Sequence, residues 1–145
     1  MQQPKSIERF EQIYFLSLVV SLVMFVLNWD QSTAAAQQNP AVAAFVVPMV
    51  IGFAIVGYGI SILLWFLIAR RGNEVAKWIY VVLFALGALA ALAGVLMSGR
   101  PGVPTPGVLV RVGQIVNLVL GVAAVWFLFQ PDTRPWFNKG VDPDA

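Results

Sequence analysis

"PMVIGFAIVGYGISILLWFLIARRGNEVAKWIYVVLFALGALAALAGVLM", residues 48 to 97, decides the fold. It holds two apolar runs, Pro48 to Ala69 and Val75 to Met97, parted by Arg70-Arg71-Gly72-Asn73-Glu74. About 20 helical residues cross the roughly 30 Å hydrocarbon core of a bilayer, and each run has that length. Inside lipid the backbone has no water to bond, so a run of this kind is expected to be helical. The turn between the runs is short, which makes the two helices antiparallel neighbours.

Two further runs lie outside this stretch. One extends from Ile13 to Asn28, with a helical lead-in from Ser6, and the other from Val108 to Gln130. The segment from Pro40 to Ala69 would be about 45 Å long if wholly helical, too long for one straight span. Pro48 marks a break there: residues 41–47 form either a short helical extension or a kinked first turn around the proline. "RPGVPTPG", residues 100–107, is too rich in Pro and Gly for a helix and reads as a stiff, extended connection. "STAAA", residues 32–36, has the small residues of a signal-peptidase site, but Trp29 and Asp30 separate it from the apolar run and the region ahead is nearly charge-neutral. A first transmembrane helix is therefore expected.

Composition agrees. With 59% hydrophobic and 11% charged residues the chain lies far outside the soluble range. The expectation is an all-α integral-membrane four-helix bundle with up-down connectivity. It forms one domain over residues 1–145, with spans at about 13–28, 48–69, 75–97 and 108–130 and a cytoplasmic tail from 131. The chain has no Cys and no His, so thiolate and imidazole ligands, disulfides, and Ser-His-Asp or Cys-His catalysis are excluded. No metal or cofactor site is expected. The pI of about 9.3 rests on nine Lys and Arg against seven Asp and Glu, scattered around apolar runs. That pattern fits an orientation signal rather than a nucleic-acid partner.

Seven of the basic residues flank one set of span ends: Lys5, Arg9, Arg70, Arg71, Lys77, Arg134 and Lys139. Only Arg100 and Arg111 belong to the other set. The positive-inside rule then puts both termini in the cytoplasm, in a multi-pass protein of a bacterial inner membrane. Trp29, Trp136 and Phe137 fall near span ends and are expected to act as interface anchors, an amphipathic ring preferring that depth.

Helices in lipid are held by close packing and hydrogen bonds, so inward faces should be small or weakly polar. Phe10, Tyr14, Ser17, Ser21, Met24 and Asn28 recur at spacings of four and three on the first helix. Gly52 and Gly59 share a face of the second, and Gly87, Ala91 and Gly94 a face of the third. The fourth presents Arg111, Gln114, Asn117 and Gly121 within an arc of about 120°. That polar face is either a groove for a solute or packing glue beneath a snorkelling arginine, and the packing reading is preferred. Asp30, ending the first helix at the same level, is the expected ion-pair partner of Arg111. Glu8, Ile13 and Tyr14 align with Glu74, Ile79 and Tyr80 at an offset of 66, a trace of a duplicated hairpin.

In outline the chain resembles the small multidrug exporters, also four short helices. Their essential glutamate lies within the first helix, whereas Glu11 here precedes the apolar run, so drug export is not carried over. The ending "FLFQPDTRPWFNKG", residues 127–140, resembles the Pro-x-x-Arg-x-Trp-Phe tail of small uncharacterised bacterial four-span inner-membrane proteins. That resemblance implies a membrane location and no chemistry. With no acid-base or nucleophile-base pair at membrane depth, no catalytic residue is expected. The resulting expectation is a non-catalytic structural or accessory subunit whose partners are lipid, copies of itself or a larger membrane complex. The alternative is an oligomeric small-solute transporter or channel subunit using Arg111, Gln114 and Asn117.

Overall fold

The computed structural model describes residues 3–34, 40–97 and 107–138. Four long helices account for most of them: α1 (Lys5–Leu27), α2 (Pro40–Trp65), α3 (Glu74–Met97) and α4 (Val108–Leu128). Each is long and apolar enough to cross a membrane, α2 together with the five residues that follow it. The fold is all-α, a four-helix arrangement of the kind a multi-pass membrane protein adopts. The extended connection expected at residues 100–107 lies outside the described residues except for Gly107, which precedes α4 as its N-cap.

The lead-in from Ser6 is helical and continuous with α1, whose C-cap is Asn28; a separate one-turn helix, Trp29–Ser32, follows. Two features differ from the sequence reading. Pro48 lies inside α2 without ending it, so the extension and the span are one helix. After Trp65 the coil widens into a π-helix, Phe66–Arg70. Carbonyls in the last turn of a helix keep acceptor capacity for partners outside it. Here Ile68 and Ala69 accept from distant parts of the chain, as described below.

The α2–α3 reversal is built from Gly72 and Asn73. Gly72 has a left-handed φ of 59°, which a residue with a Cβ adopts only at a cost. Its N–H donates to Ile68 O at 3.3 Å, and the Asn73 N–H to Leu67 O at 3.0 Å. Asn73 also opens α3, its Oδ1 accepting from the Ala76 N–H at 3.0 Å. One short stretch thus closes one helix and caps the next.

The four helices do not pack alike. α1 and α4 lie against one another along much of their length, whereas α2 and α3 meet them and each other mainly near the reversal. The buried residues confirm this asymmetry. Ile7, Phe10, Tyr14, Leu64, Ile68, Ala69, Ala76, Ala124, Leu128, Trp136 and Phe137 form one cluster, all at the end that carries Lys5, Arg9, Arg70, Arg71, Lys77 and Arg134. We refer to it as the basic end. Away from it, α2 and α3 present Phe45, Phe53, Ile55, Leu89 and Leu96 outward.

Candidate functional site

The basic end is tied by contacts that join both ends of the described chain to the reversal. After α4 the chain turns at Pro131–Thr133 and continues as a single helical turn, Arg134–Phe137. The Thr133 hydroxyl faces the carbonyls of Leu128 and Gln130, at 3.0 and 2.7 Å, and secures this turn. Trp136 is thereby brought back onto the π-helix, where its Nε1–H donates to Ile68 O at 3.1 Å. From the other terminus Gln3 Nε2 donates to Ala69 O at 3.3 Å, and the Ser6 N–H donates to Asp132 Oδ2 at 3.2 Å. Arg70 pairs with Glu11 at 3.2 Å, so the acidic residue ahead of the first apolar run serves this junction.

Lys77 sits within the same junction and is only 8% exposed. Its Nζ lies 4.6 Å from the Phe137 ring centre, 5.1 Å from Phe129 and 5.7 Å from Trp78. Glu74, one turn earlier, approaches it at 3.6 Å. A buried ammonium is tolerated because aromatic faces and one carboxylate replace water around it.

Above the junction a layer of rings crosses the bundle. Phe10, Tyr14 and Tyr80 are mutually in contact, with centroid separations of 5.3, 5.4 and 5.8 Å. The Tyr14 hydroxyl donates to Ser61 O at 2.8 Å, fixing α1 to α2. Tyr14 and Tyr80, the two tyrosines matched by the offset of 66, therefore face each other. On the opposite side of this layer from the junction lies an open cavity of about 540 Å³ touched by all four long helices. Its walls are mostly apolar, with Leu18, Ile60, Leu83 and Phe84 among them, and Ser17, Ser21, Gln114 and Asn117 add polar atoms.

The polar face of α4 divides at this cavity. Asn117 Nδ2 donates to Ser21 Oγ at 2.7 Å, a bond from α4 to α1. Oδ1 of the same amide is buried without a partner among the described residues. Gln114 lines the cavity and is exposed, with no hydrogen bond to any described residue. Arg111, one turn before it, is also exposed. No ion pair joins it to Asp30: the two ion pairs among the described residues are Arg70–Glu11 and Lys77–Glu74. Asp30 belongs to the separate turn after Asn28, and two exposed charges gain little by pairing.

The residues read as packing contacts also separate into groups. Gly121 admits the Phe84 ring from α3, and any Cβ there would run into it. Ser17 turns its hydroxyl back to Tyr14 O at 2.8 Å, and Asn28 ends α1 with its N–H on Met24 O at 2.9 Å. Ala91 lines the cavity. Gly52, Gly59, Gly87 and Gly94, by contrast, have open space where a Cβ would stand. Their expected helix contacts do not form within the described chain, because α2 and α3 diverge from the α1–α4 pair.

Trp29 stacks edge-on with Phe25 at 5.7 Å near the end of α1. Trp136 and Phe137 are not turned outward as anchors; they are 8% and 6% exposed and belong to the buried cluster. The reason is the fold-back after Pro131, which brings the indole N–H to Ile68 O, a carbonyl at the end of the π-helix that also accepts from the Gly72 N–H. Gly113 was not singled out by its sequence context, yet it is buried against the Met24 side chain. Its position eight residues before Gly121, close to the same helix face, was the available signal.

No family model, curated protein or solved structure matches the chain.

Proposed function

We propose that the protein is a small, non-catalytic accessory subunit of a bacterial inner membrane, with both termini in the cytoplasm. The observation that carries this reading is the incomplete bundle. α1 and α4 make a paired unit, while the glycines of α2 and α3 meet nothing. In lipid, small residues let helix backbones approach closely, and unmatched small faces favour association with another membrane helix. Orientation rests on the basic end, which the positive-inside rule assigns to the cytoplasm.

The cavity favours a second reading, a small-solute transport subunit. Against a continuous pore stands the layer of Phe10, Tyr14 and Tyr80, which separates the cavity from the basic end. The test is purification of the full chain in mild detergent followed by native mass spectrometry. Recovery with a second membrane protein, or as an oligomer, is expected. Recovery as a monomer alone, with or without lipid, overturns the accessory reading; solute uptake by vesicles holding only this chain supports the transport one.

A further inference from the structure

The cavity between the four long helices has a shape and polarity that helix packing does not use. We propose that it holds one acyl chain of a phospholipid from the leaflet opposite the basic end, whose phosphate is met by Arg111. The proposal rests on the membrane-spanning reading of the chain and is independent of whether it joins a larger complex.

Length is the first argument. Along α3 the cavity is lined from Tyr80 to Ala91, a rise of about 16 Å. Its outer edge, at Ala91 and Gln114, lies about 9 Å below the outer ends of α3 and α4, so it occupies the middle of the roughly 30 Å hydrocarbon core and is filled by an extended chain reaching in from the opposite leaflet. The aromatic layer closes the inner end, so a chain entering from the opposite leaflet stops there.

The cavity holds about 540 Å³ and is open along one side, room for a single flexible chain. Its walls agree, since no carboxylate, ammonium or guanidinium lines it. A charged solute would lose its hydration there without compensation.

Polarity then fixes the direction of the lipid. Gln114 is the exposed amide on the lining, six residues into α4 and about 9 Å below that helix's outer end. Arg111 lies one turn farther out, about 60° around the helix, exposed and without an acidic partner among the described residues. A long guanidinium stem at this depth reaches the headgroups, where phosphate is its natural partner.

The test uses the full chain in vesicles of phosphatidylethanolamine and phosphatidylglycerol, with phosphatidylglycerol bearing a diazirine in one acyl chain as probe. Flotation first shows that the chain enters the bilayer; a chain that remains in the aqueous fraction overturns the membrane-spanning reading itself. After illumination, adducts should concentrate between Leu83 and Ala91 and between Gln114 and Leu118, above the level on outward Phe45 and Leu96. Filling the cavity by Ala88→Phe, or independently from α2 by Gly57→Leu, should lower cavity adducts about tenfold and leave those on Phe45 unchanged. Arg111→Gln should lower phospholipid labelling about fivefold while leaving a diazirine fatty alcohol, which lacks phosphate, unaffected. Even labelling of all exposed faces, or cavity adducts that survive in whichever filled variants float, would overturn the site. Equal labelling with Arg111→Gln would overturn the phosphate assignment.

Discussion

Replacing Trp136 and Gly72 together should cost less than the sum of the two single changes, because both act through one contact. The Trp136 ring is buried, and its N–H donates to Ile68 O. Trp136→Ala leaves a cavity and removes that bond, a loss of about 3–5 kcal/mol for a buried aromatic side chain. The acceptor itself is not stranded, since Ile68 O keeps the Gly72 N–H. Trp136→Phe should therefore cost only about 1 kcal/mol, the net worth of the hydrogen bond. Gly72→Ala costs about 1–2 kcal/mol for the left-handed backbone. It carries a second cost, because the new Cβ collides with the Trp136 carbonyl oxygen. Displacing the tail to relieve such a collision adds about 1–3 kcal/mol. Once Trp136→Ala has loosened the tail, that second cost should vanish, giving a coupling of about 1–3 kcal/mol in a double-mutant cycle. The assay is helix loss by far-ultraviolet circular dichroism as SDS is titrated into mixed micelles. Additivity within about 0.5 kcal/mol would refute the idea that the tail docks on the reversal.

Asn117→Leu should destabilise the same micelle-bound protein by about 0.6 kcal/mol, the average for an interhelical hydrogen bond in a membrane, and more than Arg111→Ala. Unchanged thermal stability for Asn117→Leu would remove the bond to Ser21 from the account of α1–α4 pairing. Gly121→Leu should cost about 1–3 kcal/mol through overpacking against the Phe84 ring, and Gly113→Ala less, since the neighbouring Met24 side chain is flexible. The order of their unfolding midpoints checks this, and a reversed order would mean that α4 is held by other contacts. At Lys77, Met keeps the volume and loses the charge, whereas Ala loses both. Lys77→Met should cost about 0.5–2 kcal/mol, the range of a cation near aromatic faces, and Lys77→Ala clearly more. Equal losses would mean that packing of the stem, not the ammonium, accounts for its position.

Four apolar runs and the turn at Gly72-Asn73 are legible because each rests on a local cause, chain length against bilayer thickness or the conformational freedom of glycine. The inward assignment of Asn117 and Ser21 also rests on a periodic pattern, and a hydrogen bond joins them. What periodicity does not reveal is which of several small-residue faces finds a partner. Gly121 and Gly87 look alike along the chain, yet one meets a Phe84 ring and the other meets open space. That difference depends on how far α3 leans from α4, a three-dimensional quantity. The same holds for Trp136. An indole beside Arg134 reads as an interface anchor until the fold-back from Pro131 sets it against the Ile68 carbonyl at the end of the π-helix. Asp30 and Arg111 show the converse error: similar depth does not bring two long or exposed side chains together.

The position of the core follows from where water is available to drive burial. Apolar side chains in mid-bilayer gain nothing by leaving lipid for protein, so the helices there meet only where specific contacts hold them. Asn117 with Ser21, Gly113 with Met24 and Gly121 with Phe84 are such contacts, and two of the three join α1 to α4. At the basic end the situation changes, because Ile7, Phe10, Trp136 and Phe137 come close to the aqueous boundary and the hydrophobic effect operates on them. The buried cluster accordingly gathers there, helped by the bonds of Trp136, Gln3 and Ser6 that satisfy backbone groups around the π-helix and the tail. A bundle fastened by water at one end and by sparse contacts in lipid has a free end by construction. The α2–α3 hairpin is held at its reversal and along its lower turns, while its glycine faces and the cavity beside them stay available to whatever the membrane supplies.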